Sequence, residues 1–259
     1  MTGAPQPRAG HYSYSVYADS AMAEAFDALR FSGPIGRLIA DTQEQVIARF
    51  LAPVAGRTVL DVGTGTGRAA IALAARGATV TGVDASAQML EVAERRAKEA
   101  GVRVTFAAGD AHGLAFADRS FDAAICLRVL MHTPDWRLSL RELCRVSRTR
   151  IVFDYPALSS GAALESAARH AVHAFGGRVE AYRVLGARAV RAELAVNGFR
   201  LADSHRQFVL PIAFHKRLNS AAATGRIEGA LSRAGLTRLL GSPVTVVAER
   251  FAPPGTVVA

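Results

Sequence analysis

Cysteine is scarce in this 259-residue chain, which has only Cys126 and Cys144. Their spacing matches no metal-ligand set and no disulfide framework, so a reducing, cytoplasmic setting is expected and no metal site. Long apolar runs are also missing. No stretch approaches the ~20 apolar residues of a membrane span, and Met1 to Gly10 lacks the apolar centre of a signal peptide. A soluble protein is therefore expected. Lysine is almost absent: Lys98 and Lys216 are the only two among 31 basic residues, and the net charge of +9 rests on arginine. Such a surface can favour acidic substrates, an anionic membrane or RNA. No recognised RNA-binding module accompanies it, so no nucleic-acid partner is expected, while peripheral membrane contact stays open. No internal repeat or low-complexity linker divides the chain.

Glycine, by contrast, is concentrated where it matters. Thr58 to Val62 reads as a buried strand broken only by Asp61, and the apolar run Ala69 to Ala75 reads as a helix ending near Gly77. Between them Gly63, Gly65 and Gly67 alternate, removing Cβ atoms where a ligand must approach the backbone. A dinucleotide fingerprint needs its third glycine three residues after the second, and that position is Arg68. An NAD-dependent oxidoreductase is disfavoured on that ground.

The remaining pattern alternates strand and helix. Ile35 to Leu51 carries Ile35, Leu38, Ile39, Thr42, Val46 and Phe50 at helical spacing. Strands are expected at Ala78 to Asp84, Val102 to Ala107, Phe121 to Leu127 and Arg150 to Tyr155. Helices are expected from Ser86 to Gly101 and from Trp136 to Ser147. This rhythm argues for an α/β fold with a parallel sheet covered on both faces. Further on, Ala162 to Phe175 and Ala187 to Val196 read as helical and Phe199 to Pro211 and Val244 to Phe251 as strands. The expected organisation is a tail over 1–10, a helical cap over 11–54, a core over 55–157 and a completion of the sheet in the same domain over 158–259, with inserted helices over 212–241. Tyr12, Tyr14 and Tyr17 either pack on the surface or belong to a lid. Glu91 with Arg95 and Glu94 with Lys98 read as pairs on a solvated face. Arg137, Arg141, Arg145 and Arg148 read as one solvated helical face.

The segment Asp61-x-Gly63-x-Gly65-x-Gly67 resembles motif I of the class I S-adenosylmethionine (SAM) dependent methyltransferases. The run Cys126 to Asp135, with His132 before a short turn, and Leu140-Arg141-Glu142-Leu143 in the next helix are similar to the quinone-biosynthesis methyltransferases. That resemblance covers about residues 55 to 155. It implies a Rossmann-like, seven-stranded, mostly parallel, doubly wound sheet with a C-terminal antiparallel strand pair. It also implies SAM as cofactor and a small-molecule acceptor, phenolic or quinone-like. The cofactor residues implied are Asp61, Gly63, Thr64, Gly65 and Gly67 of the loop, then Asp84, Ala85 and Met89, and finally Asp110, Ala111 and Leu127.

Each role has an ordinary competitor. Asp84, at the end of the second strand, either accepts hydrogen bonds from both ribose hydroxyls or caps the following helix. Asp110 lies where the resembled family receives the adenine amino group, but Gly-Asp is also a common turn. His132 is either the base that takes a proton from the acceptor, at an ordinary pKa of about 6.5, or a packed strand-end residue. Phe121-Asp122 is best explained by strand entry. No Asn/Asp-Pro-Pro-aromatic motif and no Pro-Cys nucleophile is present, which counts against methylation of nucleic-acid bases. Some quinone-pathway relatives carry acidic residues before the histidine, whereas Arg128 and Met131 stand here, so no metal is expected to take part. A SAM-binding partner protein without turnover remains the alternative outside enzymology, and an RNA methyltransferase a further one.

Overall fold

The computed structural model describes residues 22–24, 30–163, 166, 167, 169 and 182–251. Tyr12, Tyr14, Tyr17, the tail to Gly10, and parts of the cap expected over 11–54 and of the helix expected at Ala162 to Phe175 lie outside these.

Seven strands form one sheet: β1 (Thr58–Val62), β2 (Thr79–Asp84), β3 (Val104–Ala108), β4 (Phe121–Cys126), β5 (Ser147–Tyr155), β6 (Phe199–Phe208) and β7 (Ser242–Arg250). Their order is β3-β2-β1-β4-β5-β7-β6. The pairs β3-β2, β2-β1, β1-β4 and β4-β5 are parallel, and β7 runs antiparallel to both β5 and β6. The helices are α1 (Gly33–Leu51), α2 (Arg68–Ala74), α3 (Ala87–Glu99), α4 (Trp136–Val146), α5 (Ala187–Val196), α6 (Ile212–Leu218), α7 (Ala221–Arg233) and α8 (Leu236–Leu240). The last three occupy the stretch between β6 and β7, making the final strand pair the expected antiparallel one with a helical insertion.

Period-two alternation sends neighbouring residues to opposite faces of the sheet. Leu60 of β1 and Ala124 of β4 join Leu140 and Leu143 of α4 and Val190 and Leu194 of α5 in one buried cluster. Val59 and Ile125, one residue out of step, join Val46 and Phe50 of α1 and Leu73 of α2 in another. Both faces are thus covered, which is why these strands read as nearly continuous apolar runs. No helix among the described residues is long and apolar enough to cross a membrane.

Polar devices fix the strand ends. Asp122 accepts the Thr58 N–H at 2.8 Å, the Thr58 hydroxyl at 2.9 Å and Arg148 Nη1 at 3.1 Å. The backbone N–H of Thr58, ahead of burial, sets its pKa, holding the carboxyl below the usual aspartate range. Ser86 caps α3 by accepting the Met89 N–H at 3.1 Å, and Asp135 caps α4 through Arg137 N at 3.0 Å and Leu138 N at 3.2 Å.

One expectation about surface charge is corrected and another holds. Arg137, Arg141, Arg145 and Arg148 do not make one solvated helical face, because β5 already begins at Ser147 and Arg148 belongs to it. Arg145 forks onto Glu142 at 2.8 Å and reaches Asp118 and the Leu114 and Phe116 carbonyls, anchoring the loop before β4. On α3, Glu91, Glu94, Arg95 and Lys98 are exposed, as expected of a solvated face, and Arg95 forks onto Glu24 of the N-terminal segment with two contacts of 2.8 Å.

Candidate functional site

In a parallel sheet, ligands bind beyond the carboxyl ends of the strands, at the point where strand order reverses. That point here lies between β1 and β4, each of which continues the sheet in its own direction. A cavity opens there, lined by the glycine loop, the ends of β2, β3 and β4, and Phe31 and Gln43 from the cap. Of the cofactor residues expected from the sequence, Asp61, Gly63, Thr64, Gly65, Asp84, Ala85, Met89, Asp110, Ala111 and Leu127 all line it, as does His132.

Gly67 is the exception. It is the N-cap of α2 at φ 78°, and a Cβ there would meet Ala93 Cβ at 3.0 Å and Phe106 Cζ at 3.2 Å. Its lack of a side chain serves close packing of the loop on α3 and β3, and it does not face the cavity. Gly65 is the opposite case, with φ 55° and nothing within 4 Å of where a Cβ would stand. The space over Gly65 belongs to the cavity.

The carboxylates are held by backbone. Asp84 Oδ2 accepts the Gly65 N–H at 2.8 Å and Oδ1 the Ser86 N–H at 2.9 Å, leaving lone pairs on both oxygens. Burial pushes its pKa up, and those N–H groups oppose the shift. Asp61 is 2% exposed and accepts the Thr64 hydroxyl at 2.8 Å. Burial raises its carboxyl to about 6, with Asp84 adding to the rise and Thr64 and Arg68 opposing it. Asp110 Oδ1 accepts both the His112 N–H at 2.9 Å and the His112 Nδ1–H at 2.8 Å. The tautomer follows from the other ring nitrogen, since His112 Nε2 accepts the Asp135 N–H at 3.3 Å.

Arg128 and Gln43, neither expected to hold the cofactor, complete the wall, and Asp154 braces both. Arg128 has φ 62°, a left-handed conformation that costs a non-glycine residue about 1 kcal/mol. Its N–H donates to Asp154 Oδ1 at 2.5 Å, which holds the turn. Asp154 Oδ2 in turn accepts Gln43 Nε2 at 3.4 Å. Gln43 Oε1 also accepts Arg68 Nη2, and the Arg68 guanidinium lies 4.5 Å from the centre of the Phe31 ring. A lone arginine, glutamine or aspartate at these positions carries no motif, so only the fold brings them together.

Beyond His132 lies a second chamber, which shares Arg30, Arg128 and His132 with the first. Its wall also includes Met131, the end of β5, Ser160 to Ala162, Arg169, Tyr182, Phe208 to Ala213 and Lys216. His132 is 7% exposed and stands on the wall common to both.

The first cavity fits SAM on its own geometry. A cradle left open by Gly65, a fixed carboxylate at the end of β2, and flanking Met89, Ala111 and Leu127 suit a nucleoside without phosphates. Arg68, which blocks a dinucleotide loop, is turned toward the cap.

Comparison with known proteins agrees. Residues 59–150 match the family described as "Methyltransferase domain". A demethylmenaquinone methyltransferase of Clavibacter sepedonicus is 46% identical over 98 residues, 38% of this chain and 40% of the relative. A ubiquinone biosynthesis O-methyltransferase of Azorhizobium caulinodans is 43% identical over 94 residues, 36% of this chain and 37% of the relative. The matched segment thus spans well under half the length of these curated relatives. Among solved structures, the magnesium protoporphyrin IX methyltransferase from Synechocystis, with bound SAH, superposes with a TM-score of 0.68 at 18% identity, covering 93% of this chain and 99% of that one. Residues 59–150 are thus similar to a methyltransferase domain, and the sheet as a whole has the fold of solved SAM-dependent methyltransferases.

Proposed function

We propose that the protein is a SAM-dependent methyltransferase acting on a small-molecule acceptor of phenolic or quinone-like character. The observation that carries this reading is the pair of adjoining cavities, one suited to the cofactor and one beside it, with His132 on the shared wall. Asp61, Gly63, Thr64 and Gly65 of the loop, with Asp84, Ala85 and Met89, would hold the cofactor, and Asp110, Ala111 and Leu127 would enclose its base. SAM supplies a methyl group on a positively charged sulfur, so the protein's work is alignment, exclusion of water and removal of one proton.

His132 is the group placed for that last task. Its backbone N–H donates to the Val129 carbonyl at 2.8 Å, fixing the turn that carries it to the wall. In this reading, the imidazole would accept the proton of an acceptor hydroxyl, and bound SAM would supply the methyl group that the oxygen receives. No metal is assigned a part, because Arg128 repels a cation and Met131 is a poor ligand for a hard ion.

The test is turnover on a panel of hydroxylated aromatic and quinol acceptors, with calorimetry of SAM and of its demethylated product SAH. His132→Ala is expected to lower kcat tenfold to ten-thousandfold, the range of general-base contributions, with SAM affinity near the parent value. Turnover is expected to persist in EDTA. A strict requirement for magnesium, or an unchanged pH–rate profile in His132→Ala, would remove the corresponding assignment. Binding of SAM without methylation of any panel member favours a partner protein instead.

A further inference from the structure

The insertion between β6 and β7 carries charge of one sign. Over residues 212–241 the basic side chains are Lys216, Arg217, Arg226, Arg233 and Arg238, against one acidic residue, Glu228. Glu228 is buried and spent on the Val209 and Leu210 N–H groups and on His215. All five cations are exposed, and among the described residues none has an ion pair; the one side-chain hydrogen bond they make runs from Lys216 Nζ to the Arg30 carbonyl at 3.4 Å. The same stretch exposes apolar side chains. Phe214 and Leu218, one turn apart on α6, are 45% and 38% exposed, and α8 holds three leucines in five residues yet buries none, with Leu239 at 65% and Leu240 at 39%. Leu158 is exposed beside α8, where the Ser159 hydroxyl donates to the Leu239 carbonyl at 2.9 Å. A lone exposed leucine is ordinary, but these five are all but one of the large apolar side chains exposed among the described residues, so they concentrate on the insertion and its immediate neighbour. Ile212, Ala213 and Lys216 of α6 line the second chamber, as do Ser242 and Pro243 just after α8, so the insertion leaves and rejoins the fold at the chamber wall.

From this combination we infer that residues 212–241 dock on the surface of an anionic lipid bilayer. Arg217, Arg226, Arg233 and Arg238 meet headgroup phosphates, which accept paired hydrogen bonds from guanidinium groups, and Phe214, Leu218, Leu239 and Leu240 enter the boundary between headgroups and acyl chains. Charge alone would serve a nucleic acid or an acidic protein equally well. Apolar side chains that the fold leaves outside its core gain by entering lipid and gain nothing from a phosphate backbone, which selects the bilayer. The second chamber, part of whose wall the insertion supplies, is thereby held at the membrane. On the proposed methyltransferase reading, an acceptor dissolved in the bilayer then reaches the His132 wall without crossing bulk water. The docking itself does not depend on that reading, because no residue of the insertion lines the cofactor cavity.

The experiment is co-sedimentation of the whole protein with vesicles of phosphatidylcholine and with vesicles of phosphatidylcholine and phosphatidylglycerol in equal parts. The parent is expected to bind the anionic vesicles about tenfold or more tightly, a preference that falls as salt is raised. Arg217→Gln, Arg226→Gln, Arg233→Gln and Arg238→Gln combined are expected to erase most of that preference. Leu239→Ser with Leu240→Ser is expected to weaken binding to the anionic vesicles several-fold, and both variants should keep the parent circular dichroism and SAH affinity. Equal binding to the two vesicle types overturns the inference, as does a preference that survives the four arginine substitutions. Binding indifferent to the leucine substitutions also overturns it, because a purely electrostatic face fits RNA or an acidic protein instead. Hydrogen exchange of the parent on anionic vesicles locates the contact without any variant: amides of 212–241 are expected to slow, and protection confined to other segments overturns the inference as well. SAH binding is read on the same protein, so failure of the cofactor reading registers as loss of SAH binding with vesicle binding intact.

Discussion

Asp84 faces the cofactor cavity with its orientation already set by two backbone N–H groups, so a ligand hydroxyl meets a carboxylate that need not reorganise. Replacing it with alanine removes the acceptor and releases the Gly65 N–H. A charge-assisted hydrogen bond is worth about 1.5 to 3 kcal/mol, so SAM binding to Asp84→Ala is expected to weaken tenfold or more. Calorimetry on a variant with parent-like circular dichroism decides it, and parent-like affinity would end the ribose assignment. Gly65→Val should abolish binding by filling the open space over residue 65. Asp61 gives a separate prediction in pH. Its folded pKa of about 6 lies above the ordinary 3.8 because burial disfavours the charge. The folded state therefore holds this proton more tightly than the unfolded chain, and the group's contribution to stability is greatest below pH ~4 and falls as pH rises through about 6. SAM carries positive charge and favours the ionised carboxylate. Affinity for SAM is expected to increase from pH 5 to pH 7, with proton release on binding near pH 5.5, measured in two buffers of different ionisation enthalpy. Asp61→Asn should flatten that pH dependence, and a parent affinity that does not change with pH would refute it.

At the scale of elements, what was legible in the sequence is what local chemistry decides. β1 and α5 fall on the residues expected, because a β-branched run or a helical period is closed at each end by glycine or a polar cap. β5 starts earlier than expected, at Ser147: the polar Ser147 and Arg148 interrupt the apolar run, yet Arg148 and Thr149 meet Asp122 of the neighbouring strand. A helical insertion between β6 and β7 was expected, but the contacts that hold it were the least legible part of the chain. Glu228 of α7 accepts Val209 N at 2.8 Å, Leu210 N at 3.0 Å and His215 Nε2 at 2.8 Å, while His215 Nδ1 meets the Thr224 hydroxyl at 3.2 Å. No spacing announces this network, because its members lie on α6, on α7 and in the turn after β6 and are joined only by burial. It supports the stretch Val209 to Leu210 that walls the second chamber. Glu228→Gln keeps the shape but turns one acceptor into a donor facing buried N–H groups. The expected loss is about 1 to 3 kcal/mol in urea unfolding. A change below about 0.5 kcal/mol would mean that these contacts do not hold the insertion.

Across the whole molecule, the two cavities and the cap are joined through one chain of polar contacts. Arg68 at the start of α2 reaches Gln43 and the Ala40 carbonyl of α1 and lies over Phe31, Gln43 reaches Asp154 at the end of β5, and Asp154 holds the Arg128 turn between the chambers. The cofactor loop was readable from its glycines, and Arg68 from its refusal of the dinucleotide pattern. Its second role, as the latch that holds the cap over the cavity, needed the fold, since Phe31 and Gln43 lie 37 and 25 residues away in sequence. The latch predicts a coupled outcome. Phe31 and Gln43 wall the cofactor cavity, so a ligand there stabilises the closed cap, and SAH is expected to slow amide exchange across residues 30–51. Arg68→Ala removes the ring contact and the hydrogen bonds to α1 while leaving the glycine loop intact. It is expected to speed exchange in that segment without ligand and to weaken SAH binding several-fold, with the exchange of β1 and β4 near parent values because they lie at the centre of the sheet. Hydrogen-exchange mass spectrometry with and without SAH reads both effects. Identical exchange of residues 30–51 in all four states would make the cap a passive cover, and faster exchange in β1 and β4 as well would mean that the substitution loosens the whole fold instead.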